Sequence, residues 1–172
     1  MTQTLDIAEL IMQTDAAGVP VRLEYVRGRQ KWEASPASRH QKTVRRIERS
    51  IQPIPGESGS DCYDLADLLI RFPDPDRSLK RPDIAIFCAE PPDTDEALEL
   101  LPAAVIEILS VGYEEKDLSD DGAPFYVACG VRDVLVVDPE HSIVYHYRPN
   151  QPRVQYATPI TLDLACGCRV RV

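Results

Sequence analysis

The stretch AAVIEILSVGYEEKD, residues 103–117, decides how the rest of the chain is read. Ala103, Ala104, Val105, Ile106, Ile108 and Leu109 form the kind of apolar run that makes a strand buried on both faces. Glu107 interrupts it. An ionised carboxylate left unpaired inside a sheet costs several kcal/mol or more, so something must offset Glu107. A divalent cation would do so, and such an ion calls for a second carboxylate. Asp83, at the head of the apolar run RPDIAIF, is the natural partner, because it can converge with Glu107 from a neighbouring strand. Glu107 also has blander explanations: an edge strand, a salt bridge, or a face open to solvent.

The segments around this strand point to a mixed sheet with helices on its faces. Residues 4–14 suggest a short helix opened by Thr4 or Asp6. VRLEYVRGRQKWEAS, residues 21–35, reads as two strands around Arg27-Gly28, since glycine readily takes the positive φ of a tight turn. Pro36 introduces a helix over about 37–52, and PIPGESGSD, residues 53–61, is a loop by composition. LADLLIRF and RPDIAIF suggest an antiparallel pair, with Pro82 at a strand start where proline is tolerated. EPPDTDEALELLP is a polar excursion that could hold a helical turn. A helix is expected from Pro124, ended by Gly130, and then a buried strand in RDVLVVDPE. IVYHYR and the final CRVRV complete the strands. This is an α/β chain with a central mixed β-sheet flanked by helices and an N-terminal β-hairpin.

At 172 residues the chain is expected to be one domain, residues 1–172, large enough for a substantial core. No apolar run approaches the roughly 20 residues of a membrane span. The N-terminus lacks the basic start and long apolar stretch of a signal peptide, so the cytoplasm is the default expectation. The five cysteines are scattered and odd in number, and they are expected to be reduced thiols. Only the CGC of Cys166 and Cys168 leaves a metal role open.

A net charge of −9 argues against passive coating of nucleic acid, though metal-dependent nucleases have acidic sites of their own. One basic patch stands out. In SRHQKTVRRIERSIQ, residues 38–52, Arg39, Lys42, Arg46 and Arg49 recur at helical spacing, while Val44, Ile47 and Ile51 mark another face. That face is either simply solvated or set to contact phosphates.

The order of these features resembles the Uma-type family, catalogued as domain of unknown function 820 and labelled as restriction endonucleases within the PD-(D/E)XK nuclease superfamily. The resemblance runs from about Val21 to Tyr147, through LEYVRG, SPASRH, RPDIAIF, AVIEILS, KD, FYVACGVRDVLVVDP and VYHYR. It implies a restriction-endonuclease-like fold and a metal-dependent endonuclease acting on DNA. Asp83 and Glu107 would then hold Mg²⁺ or Mn²⁺, and Glu24 would be an auxiliary acid. His40 matches a histidine at the helix start, Asp117 an aspartate found in many relatives, and Tyr126 and Gly130 a structural helix end. Relatives also suggest a homodimer, which suits symmetric duplex cutting. Phosphodiester hydrolysis needs an activated water and relief of charge at phosphorus, and a carboxylate-held Mg²⁺ supplies both.

The sequence departs from the family at its lysine. The superfamily places it two residues after the glutamate, where this chain has Leu109. Many Uma-type relatives carry it four or so residues before the tyrosine, where this chain has Gly122 beside Asp121. The nearest lysine is Lys116. If its loop folds back, Lys116 can orient the attacking water or stabilise the charged transition state. If not, the chain is a degenerate member of the fold that binds nucleic acid or protein without cutting. A small-molecule hydrolase built on the same acids is a third possibility.

Overall fold

The computed structural model describes residues 7–18 and 21–172. Its helices are α1 (Ile7–Ala16), α2 (Ser38–Glu48), α3 (Glu114–Leu118) and α4 (Ala123–Ala128). Its strands are β1 (Val21–Val26), β2 (Arg29–Ala34), β3 (Gln52–Pro53), β4 (Tyr63–Ala66), β5 (Ile70–Arg71), β6 (Leu79–Lys80), β7 (Ile84–Phe87), β8 (Ala104–Ile108), β9 (Asp133–Asp138), β10 (Ile143–Tyr147), β11 (Val154–Ala157), β12 (Thr161–Asp163) and β13 (Cys168–Arg171). Among the described residues, no helix is long and apolar enough to cross a membrane.

A six-stranded sheet in the order β11-β10-β9-β8-β7-β4 forms the centre, and only β8 and β9 run parallel in it. A parallel neighbour requires a crossover connection, and α3 and α4 provide it. β7, β8 and β9 are buried along their whole lengths. Successive side chains alternate between the two faces. Ile84, Ile86, Ala104, Ile106 and Ile108 pack with Val44 and Ile47 of α2. Ala85, Phe87 and Val105 pack on the opposite side with Phe125 and Tyr126 of α4. Glu107 follows Val105 in this alternation, so its carboxylate is turned toward Tyr126.

The register then places the partner acid. Ile84 pairs with Ile106 in the antiparallel β7–β8 ladder, and one step further brings Asp83 opposite Glu107. Each large apolar side chain buried around them contributes about 1.5–3 kcal/mol. One uncompensated carboxylate in their midst would cancel more than one of these.

A second sheet has the order β2-β1-β6-β5, and a third, β12-β13-β3, packs with α2 against the Ile84 and Ile106 face of the central sheet. β1 and β2 form the expected hairpin, with Val26 paired to Arg29 and positive φ at both Arg27 and Gly28. In its register Arg22 faces Glu33, and Glu24 faces Lys31.

Several expectations change. Thr4 and Asp6 lie outside the described residues, and α1 extends two residues past the expected end of its helix. α2 stops at Glu48, because Gln52 and Pro53 leave the helix to pair with β13. LADLLIRF is not one strand: Asp67 takes a positive φ of 55°, which breaks the run. Tyr63–Ala66 pairs with β7 as expected of an antiparallel partner, while Ile70–Arg71 joins β6 in the other sheet. The excursion 90–102 holds no helix. EEKDL forms the helix α3, and β11 and β12 are further strands that the sequence reading did not include.

The cysteines also require a correction. Cys62 and Cys168 form a disulfide across a separation of 106 residues, and Cys88, Cys129 and Cys166 are free. So long a separation hides the pairing in the sequence. The fold brings it about by setting β13 beside the loop that leads into β4.

Candidate active site

Asp83 and Glu107 are locked to each other by backbone amides. The N–H of Asp83 donates to Glu107 Oε2 at 3.1 Å, and the N–H of Ile108 donates to Asp83 Oδ2 at 2.8 Å. The Tyr126 hydroxyl donates to Glu107 Oε1 at 2.6 Å. Tyr126 itself is fixed by Phe72, ring centre to ring centre at 5.3 Å, and by the Lys80 ammonium 4.8 Å over its ring. His40 Nε2 lies 3.1 Å from Asp83 Oδ2, and Arg22 Nη1 3.4 Å from Asp83 Oδ1. Both acids are buried, Glu107 completely.

Their electrostatics differ. Burial pushes the Glu107 carboxyl well above the usual range, and the charges of Asp117 and Asp83 add to this. Asp83 is held down at about 2: burial opposes its charge, but the His40 hydrogen bond and the cations Lys116 and Arg22 outweigh it. Asp117, also buried, is pushed up to about 6 by burial and by Asp83. Asp83, Glu107 and Asp117 thus feel one another's charge, although among the described residues no group of three or more His, Cys, Asp or Glu is arranged to hold a metal ion.

Lys116 belongs to this group. Its side chain is 12% exposed, and its ammonium lies 3.0 Å from Asp117 Oδ1 and 3.2 Å from Glu33 Oε2. Burial disfavours its charge, yet Glu107 first, then Asp117, Glu24 and Glu33, raise its pKa well above the ordinary lysine range. Glu24 sits one layer away. It accepts from the Arg81 N–H at 2.8 Å and lies 3.6 Å from Lys80 Nζ, and it makes no direct contact with Asp83 or Glu107.

The basic set on α2 is placed differently. Arg39, Lys42, Arg46 and Arg49 are all exposed, and none makes an ion pair among the described residues. His40, Thr43, Val44 and Ile47 form the buried face of α2. Arg39 lines the recess beside His40, and the other three follow the outer face of the helix.

The sequence reading did not single out Arg22, Glu33 or Lys80. A signal for the first two was present: polar residues alternate at 22 and 24, and at 31 and 33, which puts them on one face of a hairpin. Lys80 is the largest charged side chain fully buried, and its ammonium donates to the Asp121 carbonyl at 2.9 Å. Nothing in SLKRP distinguishes it from a surface lysine.

A family model described as "Uma2: Putative restriction endonuclease" matches residues 10–165. The chain belongs to the Uma2 family. A solved structure of a "putative nuclease belonging to DUF820" from Anabaena variabilis shares the fold at a TM-score of 0.64. It is 18% identical, with 85% of this chain and 83% of that chain covered. Among curated proteins none matches.

Within the Uma2 fold, Gly122 explains how Lys116 comes to its place. A Cβ at Gly122 would stand 2.3 Å from the carbonyl carbon and oxygen of Asp117 and 2.6 Å from the Lys116 oxygen. No side chain fits there. The position four residues before Tyr126, where the family resemblance implies a lysine, is closed by the backbone of α3, and α3 carries Lys116 into the acid cluster.

Proposed function

We propose that this Uma2 chain is a metal-dependent endonuclease that hydrolyses phosphodiester bonds in DNA. The observation that carries this reading is the pairing of Asp83 and Glu107 on adjacent strands with the charged Lys116 in the same buried cluster. The pair Asp83 and Glu107 would hold Mg²⁺ or Mn²⁺ with water completing the coordination, since Mg²⁺ is commonly bound by one or two carboxylates. Bound there, the ion would supply charge neutralisation at the phosphate and a more acidic attacking water.

The chain's own residues do the rest. Tyr126 and the Asp83 amide aim the Glu107 carboxylate, and His40 with the Ile108 amide aims that of Asp83. Lys116, with its raised pKa, keeps its proton at neutral pH. That supports a role in stabilising charge on the transition state, rather than one as a base. Glu24 acts through Lys80 and the electrostatics of Lys116.

One observation favours the alternative of a fold without chemistry: every carboxylate oxygen of Asp83 and Glu107 already accepts a hydrogen bond or faces a cation. Cleavage assays on plasmid DNA with Mg²⁺ or Mn²⁺ separate the two. Nicking or linearisation that is lost in Asp83→Asn and in Glu107→Gln supports the nuclease. Equal product from wild type and both variants, or none from any, rejects it.

A further inference from the structure

Two recesses flank the loop that enters α3, and Tyr113 lines both. The first, about 370 Å³, is walled by apolar atoms of Ala34, Pro36, Ile108, Leu109 and Val111, reaches His40, and is also lined by Arg39 and the acids Glu33, Glu114, Asp138 and Glu140. The second, about 670 Å³, gathers the cations Arg27, Arg29, Lys31 and Lys116 beside Glu115, Asp120 and Asp121; Arg27, Arg29 and Lys31 share Asp121, and Lys116 pairs with Glu33 and Asp117. Glu33 lines the first and Lys116 the second, and these two are joined at 3.2 Å. The floor between the recesses is therefore the roof of the acid cluster.

Three of the five exposed large hydrophobic side chains among the described residues, Trp32, Val111 and Tyr113, stand at this place. Exposed aromatic and aliphatic groups beside cations suit unstacked bases, which offer a π-face above and a phosphate alongside. His40 lines the first recess and is held by Asp83 through Nε2.

We propose that the first recess receives one unstacked nucleobase, next to the phosphate held at Asp83 and Glu107, and that the substrate is a single or locally opened strand. This rests on the phosphodiester reading above. The sugar–phosphate backbone would follow the second recess, and Tyr113 and Val111 would lie against the base.

The test is fluorescence anisotropy of the full chain in chelator with a labelled short DNA strand, the same strand annealed to its complement, and an RNA strand of the same sequence. The single strand should bind about tenfold or more tighter than the duplex. Tyr113→Ala should weaken single-strand binding about five- to hundredfold, and leave duplex affinity nearly unchanged. Ala34→Trp, which fills the recess from an exposed position, should act in the same direction. Equal affinity for single strand and duplex, or variants that weaken both alike, overturns the base recess. If the duplex is bound and cut without that preference, only this inference falls. If no nucleic acid is bound or cut, the phosphodiester reading falls with it. Tighter RNA binding that responds to the same variants keeps the recess and makes RNA the strand it takes.

Discussion

The Asp83 N–H donates to Glu107 Oε2 at 3.1 Å, and the N–H of Ile108, the residue after Glu107, donates to Asp83 Oδ2 at 2.8 Å. This linkage follows from register. Asp83 stands opposite Glu107 where the β7–β8 ladder ends, so its own amide reaches the Glu107 carboxylate and its carboxylate reaches the next amide along β8, that of Ile108. The same geometry leaves Glu107 deep enough to need a further donor, and Tyr126 is that donor.

Tyr126→Phe therefore removes a hydrogen bond without removing the ring. Glu107 Oε1 is left buried without its donor, and stability should fall by about 1–3 kcal/mol. Urea denaturation in chelator measures this. An unchanged midpoint would show that the hydroxyl does not support Glu107.

Gly122→Ala should be costly for a different reason. The added Cβ would have to displace the Asp117 backbone from 2.3 Å, so α3 must move away and take Lys116 with it. We expect a loss of about 1–3 kcal/mol in stability, the usual range for overpacking, and a larger proportional loss of nuclease activity. Gly122→Lys should behave no better, although it puts a lysine four residues before Tyr126, where the family resemblance implies one. Activity in Gly122→Lys equal to wild type would contradict the steric account.

Asp133 is a structural acid. It accepts from His146 Nε2 at 2.8 Å, Arg148 Nε at 2.7 Å and the Ala165 N–H at 2.7 Å, and so ties β10 and the loop after β12 to the start of β9. Burial opposes its charge, but these hydrogen bonds outweigh burial and lower its pKa below the ordinary 3.8. The unfolded chain thus binds this proton more readily than the folded one. Its contribution is complete above about pH 4 and is lost as the pH falls through the lowered folded value. Asp133→Asn should lower stability at pH 7 by about 3 kcal/mol, because the fully buried acid gives up its charge beside three donors, of which His146 is itself buried. It should also make the acid side of the stability curve shallower, as measured by urea midpoints across that range.

The exposed face of α2 predicts a salt effect. If Arg46 contacts phosphate, Arg46→Ala lowers affinity for DNA and reduces the slope of log affinity against log salt by about one. Identical slopes for variant and wild type would remove that helix face from the interface.

The central sheet was legible because its signals are local. Buried runs at 84–87, 104–108 and 133–138 are long and apolar, and alternation turns Glu107 toward one face. Arg27-Gly28 marks a turn wherever it occurs, and Pro124 with Gly130 brackets a helix. What the sequence concealed depends on contacts between distant parts. EEKDL is too short and too polar for helical periodicity to register, and it stands as α3 only because Gly122 lets it pack. Lys80 carries no local mark of burial, since its partners Glu24 and Asp121 lie on other elements. The Cys62–Cys168 bond joins residues 106 apart. The acids were visible as residues, but the way Lys116 reaches them was not, because a glycine's missing side chain decides it.

The most direct measurement is a calorimetric Mn²⁺ or Mg²⁺ titration of wild type, Glu107→Gln and Lys116→Met, each then incubated with plasmid DNA. The account predicts metal binding by wild type and Lys116→Met, weakened at least about tenfold in Glu107→Gln, with DNA cut only by wild type. Metal binding of equal strength in all three, or cutting by Lys116→Met at the wild-type rate, would contradict it.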